Sequence, residues 1–505
     1  MSEQAVPERV EHWWERFLAR RGSALTEKDV TVVEAPQLRR ATAAAAIGNC
    51  MEWYDFGVYS YLAATIGAVF YPGGNPATQL LASFATFAAA FLVRPLGGLF
   101  FGPLGDRIGR TKVLATTMLV MAVGTFAIGI IPSYRAIGIA APILLLLARL
   151  VQGFSTGGEY GGASTFTAEY APDRRRGFFC SFLDFGTFIG YAIGSGVVTI
   201  MTMLLSHDAM LSWGWRIPFL VAGPMGAIGL YIRLKLEDTP AFKTQLDEHQ
   251  GNLDVHQKSG ARLLRDTLAH YWRPLLVCVG LVLLYNVTNY MVTSYLPTYL
   301  TKEMHRSDGF ADALILMAML FVVATITFVG RACDHFGRRK LFALGAIAQI
   351  AVAIPCFLLI AAGGTAAPLV GVVVLAAVLA CYAGTSAATL PALFPTHIRY
   401  TAMAVGFNVS VSAFGGTTPL FTQALVSSTH DSMIPAYYLM VSGAIGLVAV
   451  AFLPETAGLP LAEAPPQVAS VAEARALVRF TKRIMARLRE LRAERRAVLR
   501  GESDV

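Results

Sequence analysis

The residues in this chain that could do chemistry are charges set where the surrounding sequence is apolar. Residues 48–59 read Gly-Asn-Cys-Met-Glu-Trp-Tyr-Asp-Phe-Gly-Val-Tyr. In a helix, Glu52, Asp55 and Tyr59 share one face, at i, i+3 and i+7. Arg94, Arg149, Glu159 and Asp184 stand in later apolar stretches. A charge in hydrocarbon is costly, so each must face a cavity or a partner. A carboxylic acid in an apolar site keeps its proton, and one beside an arginine gives it up. An arginine that changes neighbours can therefore load and unload an acid. Glu52, Asp55, Glu159 and Asp184 are the candidate proton carriers. Glu52 or Asp55 is favoured, and Glu159 is expected to pair structurally with Arg94. The competing reading is permanent pairing with Arg94 or Arg149, but four acids and two bases leave at least two acids without a simple partner. No enzymatic reaction is expected.

The same charges bear on what could bind among them. Two bases against four ionised acids leave a surplus of negative charge, which suits a zwitterion or a cationic head better than a di- or tricarboxylate. A quaternary ammonium cannot donate a hydrogen bond and is held by aromatic faces. Trp53, Phe56 and Tyr59, with Tyr285 and Tyr290, are candidate walls. Arg94, Arg149, Asn286 and Asn289 are candidate donors to a carboxylate. Packing or lipid contact is the competing role for any one of these aromatics. Counted from the inner helix ends, Arg94 and Glu159 lie roughly 12–13 Å deep, and Glu52 and Asp55 roughly 16–21 Å. These groups can share one central cavity, with Arg149 nearer the outer side.

The elements that must position them are membrane helices. The 505 residues are 55% hydrophobic and 15% charged, with a mean hydropathy of +0.54, which no soluble domain of this size shows. Twelve apolar runs can be counted, at about 41–69, 79–101, 113–131, 142–168, 178–205, 216–234, 274–300, 311–330, 341–362, 366–390, 401–427 and 435–453, each near the roughly 20 residues that cross a bilayer. The expected organisation is an N-terminal segment (1–40), a six-helix half (41–234), a central loop (235–273), a second six-helix half (274–453) and a basic tail (454–505). A polar segment of 40 residues precedes the first run, so no cleavable signal peptide is evident. Placing both termini and the even-to-odd loops in the cytoplasm puts 34 of the 41 Lys and Arg residues on that side, with Arg233 at the inner end of the sixth run. The net charge of +8 follows from this pattern and the basic tails, and needs no nucleic acid. The six cysteines fall in apolar runs or inner loops without metal-ligand spacing, so neither disulfides nor a metal is expected.

One loop is repeated. Gly102-Pro-Leu-Gly105-Asp106-Arg107-Ile-Gly109-Arg110-Thr-Lys112 separates the second and third runs. Gly330-Arg-Ala-Cys-Asp334-His-Phe-Gly337-Arg338-Arg339-Lys340 separates the eighth and ninth, with Asp, Gly and Arg each displaced by 228 residues. This resembles the loop signature of the major facilitator superfamily, G-x-x-x-D-R-x-G-R-[KR], with Thr111 where a base is usual and Lys112 one place later. The resemblance implies two pseudo-symmetric six-helix halves and a charged gate of Gly102, Asp106, Arg107, Gly109, Arg110, Asp334, Gly337 and Arg338. The competing reading is a basic loop that only sets topology. The 48–59 phrase, with Arg94-Pro-Leu-Gly-Gly98, is similar to the metabolite–proton symporter branch. Arg149-x-x-Gln152-Gly153 matches a superfamily motif associated with proton coupling. The fifth run carries Gly186, Gly190 and Gly194, a spacing that lets helices approach closely, and lacks the Gly-Pro pair that antiporters often carry there.

Further phrases, including Asp29-Val-Thr-Val-Val33, Trp213-Gly-Trp-Arg-Ile-Pro-Phe219, Phe394-Pro-Thr-His-Ile-Arg-Tyr400 and Pro435-Ala-Tyr-Tyr-Leu439, are similar to the osmosensory proline/glycine-betaine–proton symporters of that branch. The likeness runs from about residue 29 to 460. It implies uptake of compatible solutes with protons as the coupling ion, no cofactor, and activation by raised osmolality. A symporter for an organic acid, such as a dicarboxylate or shikimate-like compound, is the alternative, and a non-transporting membrane sensor is a third. Val10, Trp13, Trp14, Phe17 and Leu18 recur at helical spacing among arginines, which suits a helix on an anionic leaflet or a disordered tail. Leu477, Ile484, Leu491 and Val498 repeat at sevens above a poor second seam of Thr481, Leu488 and Arg495. That pattern fits a weak coiled-coil homodimer or a basic helix on anionic lipid.

Overall fold

The computed structural model of the chain describes residues 8–108, 110–234, 265 and 267–499. Most of the 235–273 loop and the last residues of the tail lie outside this set. So does Gly109 of the first repeated loop, and Gly102, Asp106, Arg107 and Arg110 are described in their backbone alone.

After α1 (Glu8–Arg21) and the short strand β1 (Thr31–Val32), the first span is α2 (Ala35–Tyr61) continued by α3 (Ala63–Phe70). The second is α4 (Pro76–Ile108) and the third α5 (Arg110–Ile130). The fourth joins α6 (Ala140–Thr156) to α7 (Glu159–Tyr170), the fifth is α8 (Arg176–Leu204) and the sixth α9 (Arg216–Leu234). The seventh is α10 (Trp272–Tyr290), prolonged through two wide turns to Glu303. Then follow α11 (Asp308–Phe336), α12 (Arg338–Ala361), α13 (Ala366–Thr389), α14 (Thr396–Ser410) with α15 (Thr418–Thr429), and α16 (Ile434–Ala451). Strand β2 (Gln467–Val468) and α17 (Val471–Leu499) complete the chain.

Among the described residues, eight helices are long and apolar enough to cross a membrane by themselves. The other four spans fall short for visible reasons. The first carries Asn49, Glu52 and Asp55. The third and sixth adjoin stretches outside the described set. The eleventh is broken at Val411–Gly415, where the Gly416 amide reaches back five residues to the Val411 carbonyl, 3.0 Å.

Close helix contacts follow the glycines. At Gly186 and Gly190 of α8, a methyl group would strike the carbonyl oxygens of Ala46 and Cys50 on α2. Gly194 has ordinary room, so two of the three expected glycines set this approach. In the second repeated loop Gly337 takes φ +104°, a conformation glycine adopts at low cost, and turns the chain from α11 into α12.

Helix α8 of the first half lies along α11 of the second, bonded at both ends. At the end nearer the termini, Asp334 accepts hydrogen bonds from the amides of Gly177 (2.6 Å) and Phe178 (2.9 Å). A carboxylate thus caps the N-terminus of a helix from the opposite half, where exposed amides favour negative charge. At the far end the Thr202 hydroxyl donates to Asp312, 3.2 Å.

Both chain termini fold together. Strands β1 and β2 pair in parallel, Thr31 with Gln467 and Val32 with Val468. Helix α1 lays Val10, Trp14 and Leu18 against Ala474, Val478, Ile484 and Met485 of α17. The first segment is thus a helix rather than a disordered tail, and the seam of α17 has a partner within the chain. The apolar face of α1 covers Leu477 and Ile484 of the α17 seam, so one 14-residue amphipathic helix supplies surface that a leaflet or a second copy was expected to supply. Thr481, a misfit in the seam, accepts the Leu25 amide at 3.3 Å. Leu491 remains exposed.

Candidate transport site

The charged face of α2 enters the middle of the first half, and its residues 51–60 are all buried. Glu52 forms an ion pair with Arg94 of α4, both withdrawn from solvent. Glu159, the expected partner of Arg94, does not make this pair. Depth along a helix, which the sequence gives, says nothing about the direction in which a side chain leaves it. Arg94 also donates from Nε to the Thr156 hydroxyl, 2.9 Å, while its Nη1 has no hydrogen-bond partner. The guanidinium lies 5.1 Å from the ring centres of Phe56 and Phe91 and 5.6 Å from that of Trp53.

Asp55 takes a different partner. It accepts from the hydroxyl of Thr125 on α5. Thr125 in turn accepts from Gln152 Nε2, 2.5 Å, and Gln152 Oε1 accepts from Arg149 Nη1, 3.0 Å. Asp55 and Arg149 thus stand at opposite ends of a polar chain running through α6 and α5. Arg149 rests 4.2 Å over the ring of Tyr59 and 5.1 Å from Phe56, and its Nε and Nη2 have no hydrogen-bond partner. Phe56 therefore lies between two buried guanidiniums whose donors are partly unspent. Tyr59 donates to the Ser83 carbonyl, 3.1 Å.

Around these cations the aromatic side chains form one cluster that crosses between the halves. Phe91 lies 4.7 Å from Phe56, 4.9 Å from Phe87 and 5.3 Å from Tyr290 of α10, centre to centre. Trp53 lies 6.1 Å from Tyr290 and 5.6 Å from Tyr191 of α8. Trp53, Tyr59 and Tyr290 thus belong to one aromatic cluster, joined by Phe87, Phe91 and Tyr191. The Tyr290 hydroxyl and Asn289 Oδ1 are buried without hydrogen-bond partners. Asn286 spends its amide on its own helix, at the Val282 carbonyl, 3.0 Å.

Asp184 forms a second polar centre. It accepts from Tyr160 of the first half and from Tyr285 of the second, each at 3.0 Å. Tyr285 accordingly serves a carboxylate rather than the aromatic cluster. Tyr160, flat against Phe407 at 4.2 Å, stood beside Glu159 in the sequence without a role of its own. Thr125 and Asp312 were also missed, whereas Gln152 had been marked with Arg149 by the motif they share. A lone threonine in an apolar run gives no signal, but Asp312, an acid inside the run 311–330, could have been found by the rule that marked Asp55. Glu159 is buried at the start of α7. Of the second gate loop, Asp334 reaches α8, and Arg338 is fully buried and donates to Thr456 at 2.7 Å.

The profile of a family described as Sugar (and other) transporter matches residues 41–467. The proline/betaine transporter of Salmonella typhimurium is 47% identical over 455 residues, 90% of this chain and 91% of that one. The glycine betaine/proline/ectoine/pipecolic acid transporter of Dickeya dadantii is 47% identical over 451 residues, 89% and 90% of the two chains. The ectoine/proline transporter of Corynebacterium glutamicum is 44% identical over 461 residues, 90% and 92%. Among solved structures, the major facilitator superfamily proton:xylose symporter XylE superposes with a TM-score of 0.68 at 19% identity, covering 85% of this chain and 98% of that one. The fold is therefore the twelve-helix major facilitator fold.

Proposed function

Since the chain belongs to the sugar (and other) transporter family, with relatives near half identity that are transporters of proline, betaine and ectoine, we propose that it imports compatible solutes, proline, glycine betaine and similar zwitterions, together with protons. The observation that carries this reading is the company Phe56 keeps. Buried aromatic faces and unspent guanidinium donors occupy one place, and a zwitterion with a methylated or ring-bound ammonium needs both. The ammonium end suits the faces of Trp53, Phe91 and Tyr290. The carboxylate suits Arg94 Nη1 or Arg149 Nε and Nη2, which can hold it in a fork.

Asp55 is the acid we assign to the proton. Glu52 is held by Arg94, whereas Asp55 meets Arg149 only through Thr125 and Gln152, a connection that a rotation of either side chain breaks. Asp184, bonded to both halves, links protonation to their separation. We place both termini in the cytoplasm and the spans in a bacterial-type inner membrane, in line with the distribution of Lys and Arg. Activation by raised osmolality has its support in the family resemblance. The exposed side of α17, with Arg475, Arg479, Lys482, Arg483, Arg487 and Arg489, suits anionic lipid.

Uptake of labelled glycine betaine and proline into proteoliposomes under an imposed proton gradient, at low and high osmolality, tests the reading. Gradient-driven accumulation of either solute that rises with osmolality is expected. Accumulation that ignores osmolality removes the activation, and no accumulation of either solute leaves the organic-acid symporter or the sensor.

A further inference from the structure

Beyond the last membrane helix the chain does not hang free. It crosses the bundle end that carries the termini and meets the two halves in turn. Glu455 accepts the amides of Arg338 (3.0 Å) and Arg339 (3.2 Å) at the N-terminus of α12, and Arg338 donates to Thr456, 2.7 Å, all in the second half. The Leu459 carbonyl then accepts from Arg176 of the first half, 2.9 Å. The Ala462 carbonyl accepts from Arg399 of the second half, 3.0 Å. Gln467 then donates its amide to Asp173 of the first half, 3.0 Å, and its side chain to the Glu169 carbonyl. Arg176, Arg338 and Arg399 are each at most 1% exposed. Three buried arginines, from three different inner turns, thus spend donors on one short segment.

The segment is anchored at both ends. Its near end continues α16 of the second half. Its far end is β2, whose partner β1 leads directly into α2 of the first half, with Thr31 donating to Pro466 and Val33 to Val468, both at 2.9 Å. Any movement that parts the halves at this end must stretch or release it.

We propose that residues 455–468 are a clasp on the inner gate, which detaches from one half each time the transporter opens to the cytoplasm. The Asp334–Gly177 contact and the ion pair between Arg399 and Glu169, 2.7 Å, are the gate it reinforces. The inference needs only that the halves part at this end, and names no solute. Its failure is therefore separate from failure of the transport assignment.

Two native thiols report on the gate. Cys180 and Cys333 are buried and lie within one helical turn of the Gly177–Asp334 contact, while Cys356 is buried near the opposite end of α12. In inside-out vesicles, full-length proteins retaining one of these three cysteines are treated with a membrane-impermeant maleimide. Each carries either the native segment or a flexible Gly/Ser insertion between Glu463 and Ala464. Slackening should speed labelling of Cys180 and Cys333 by about fivefold for each ordinary hydrogen bond released, with Cys356 unchanged. Gln467→Ala, a milder change, should give a smaller rise at the same two positions. Unchanged rates at Cys180 and Cys333, or a rise that extends to Cys356, would overturn the clasp.

Discussion

The hydroxyl of Tyr285 donates to the carboxylate of Asp184 across the boundary between the two halves, at 3.0 Å. Tyr160 approaches the same carboxylate from the other side. A buried carboxylate held in this way is part of the contact between the halves. Tyr285→Phe should weaken that contact by about 1.5–3 kcal/mol, the range for a hydrogen bond to a charged group. We expect solute exchange to change in rate while solute affinity stays near normal. A large affinity loss at unchanged turnover would contradict this.

Asp55 should separate coupling from binding. In Asp55→Asn the Thr125 hydroxyl retains an acceptor, so the fold persists, but the position can no longer take up a proton. Gradient-driven accumulation should disappear while solute counterflow continues. Full proton-coupled accumulation in this variant would remove Asp55 from the mechanism.

The Arg94–Glu52 pair should behave as a unit. Removing one partner leaves the other charge buried, which costs about 3–5 kcal/mol. Arg94→Met and Glu52→Met should each lower the unfolding temperature of the purified protein, and the double variant should recover most of the loss. Transport should stay absent in the double variant, because the guanidinium beside Trp53 and Phe91 is gone. Additive losses in the double variant would rule out the coupling.

Gly177 should not tolerate a side chain. A methyl group there would lie 2.8 Å from the Asp334 carboxylate and 2.5 Å from the Gly330 carbonyl. Gly177→Ala is expected to force α8 and α11 apart at one end, speeding maleimide labelling of Cys333 and slowing net uptake. Asp334→Asn should act in the same direction but more weakly, since a neutral side chain forfeits up to about 1 kcal/mol at a helix N-terminus.

The terminal unit should resist mild acid. Thr26 and Arg21 hydrogen-bond to Asp29 and hold its carboxyl down at about 2. A depressed value means that the stabilisation is complete above the unfolded value of 3.8 and lost as pH falls through about 2. Amide exchange at Thr26, whose N–H donates to Asp29 at 2.7 Å, should therefore remain protected at pH 5 and lose protection near pH 2. Loss of protection already at pH 5 would contradict it.

Much of this was legible in the sequence, for a physical reason. A span must supply about 20 apolar residues, so the buried acids and arginines stood out against that background, and the repeat of Asp106 at Asp334 exposed the two halves. Sequence spacing gives depth and face on one helix but not which helix stands opposite. Glu159, at the same depth as Arg94, was thus the expected partner, and the structure gives Arg94 to Glu52 instead. Tyr285 looked like a wall and proved to be a donor to Asp184. The seam through Leu477 and Ile484 was visible, but a seam does not say what covers it. Its cover, Trp14 and Leu18, lies at the other end of the chain.

That last contact has a consequence for how the protein is made. Leu25 and Thr481, bonded in the finished molecule, are 456 residues apart. At roughly 5–20 residues per second of synthesis, α1 waits on the order of half a minute or more for its partner. During that time Trp14 and Leu18 have no cover from α17, and all twelve spans must be delivered to the bilayer first. Closure of the terminal unit is thus among the last steps of assembly. A ribosome that stops before β2 would leave a membrane body whose first helix still presents its apolar face, a mark by which quality-control machinery could tell an unfinished transporter from a complete one.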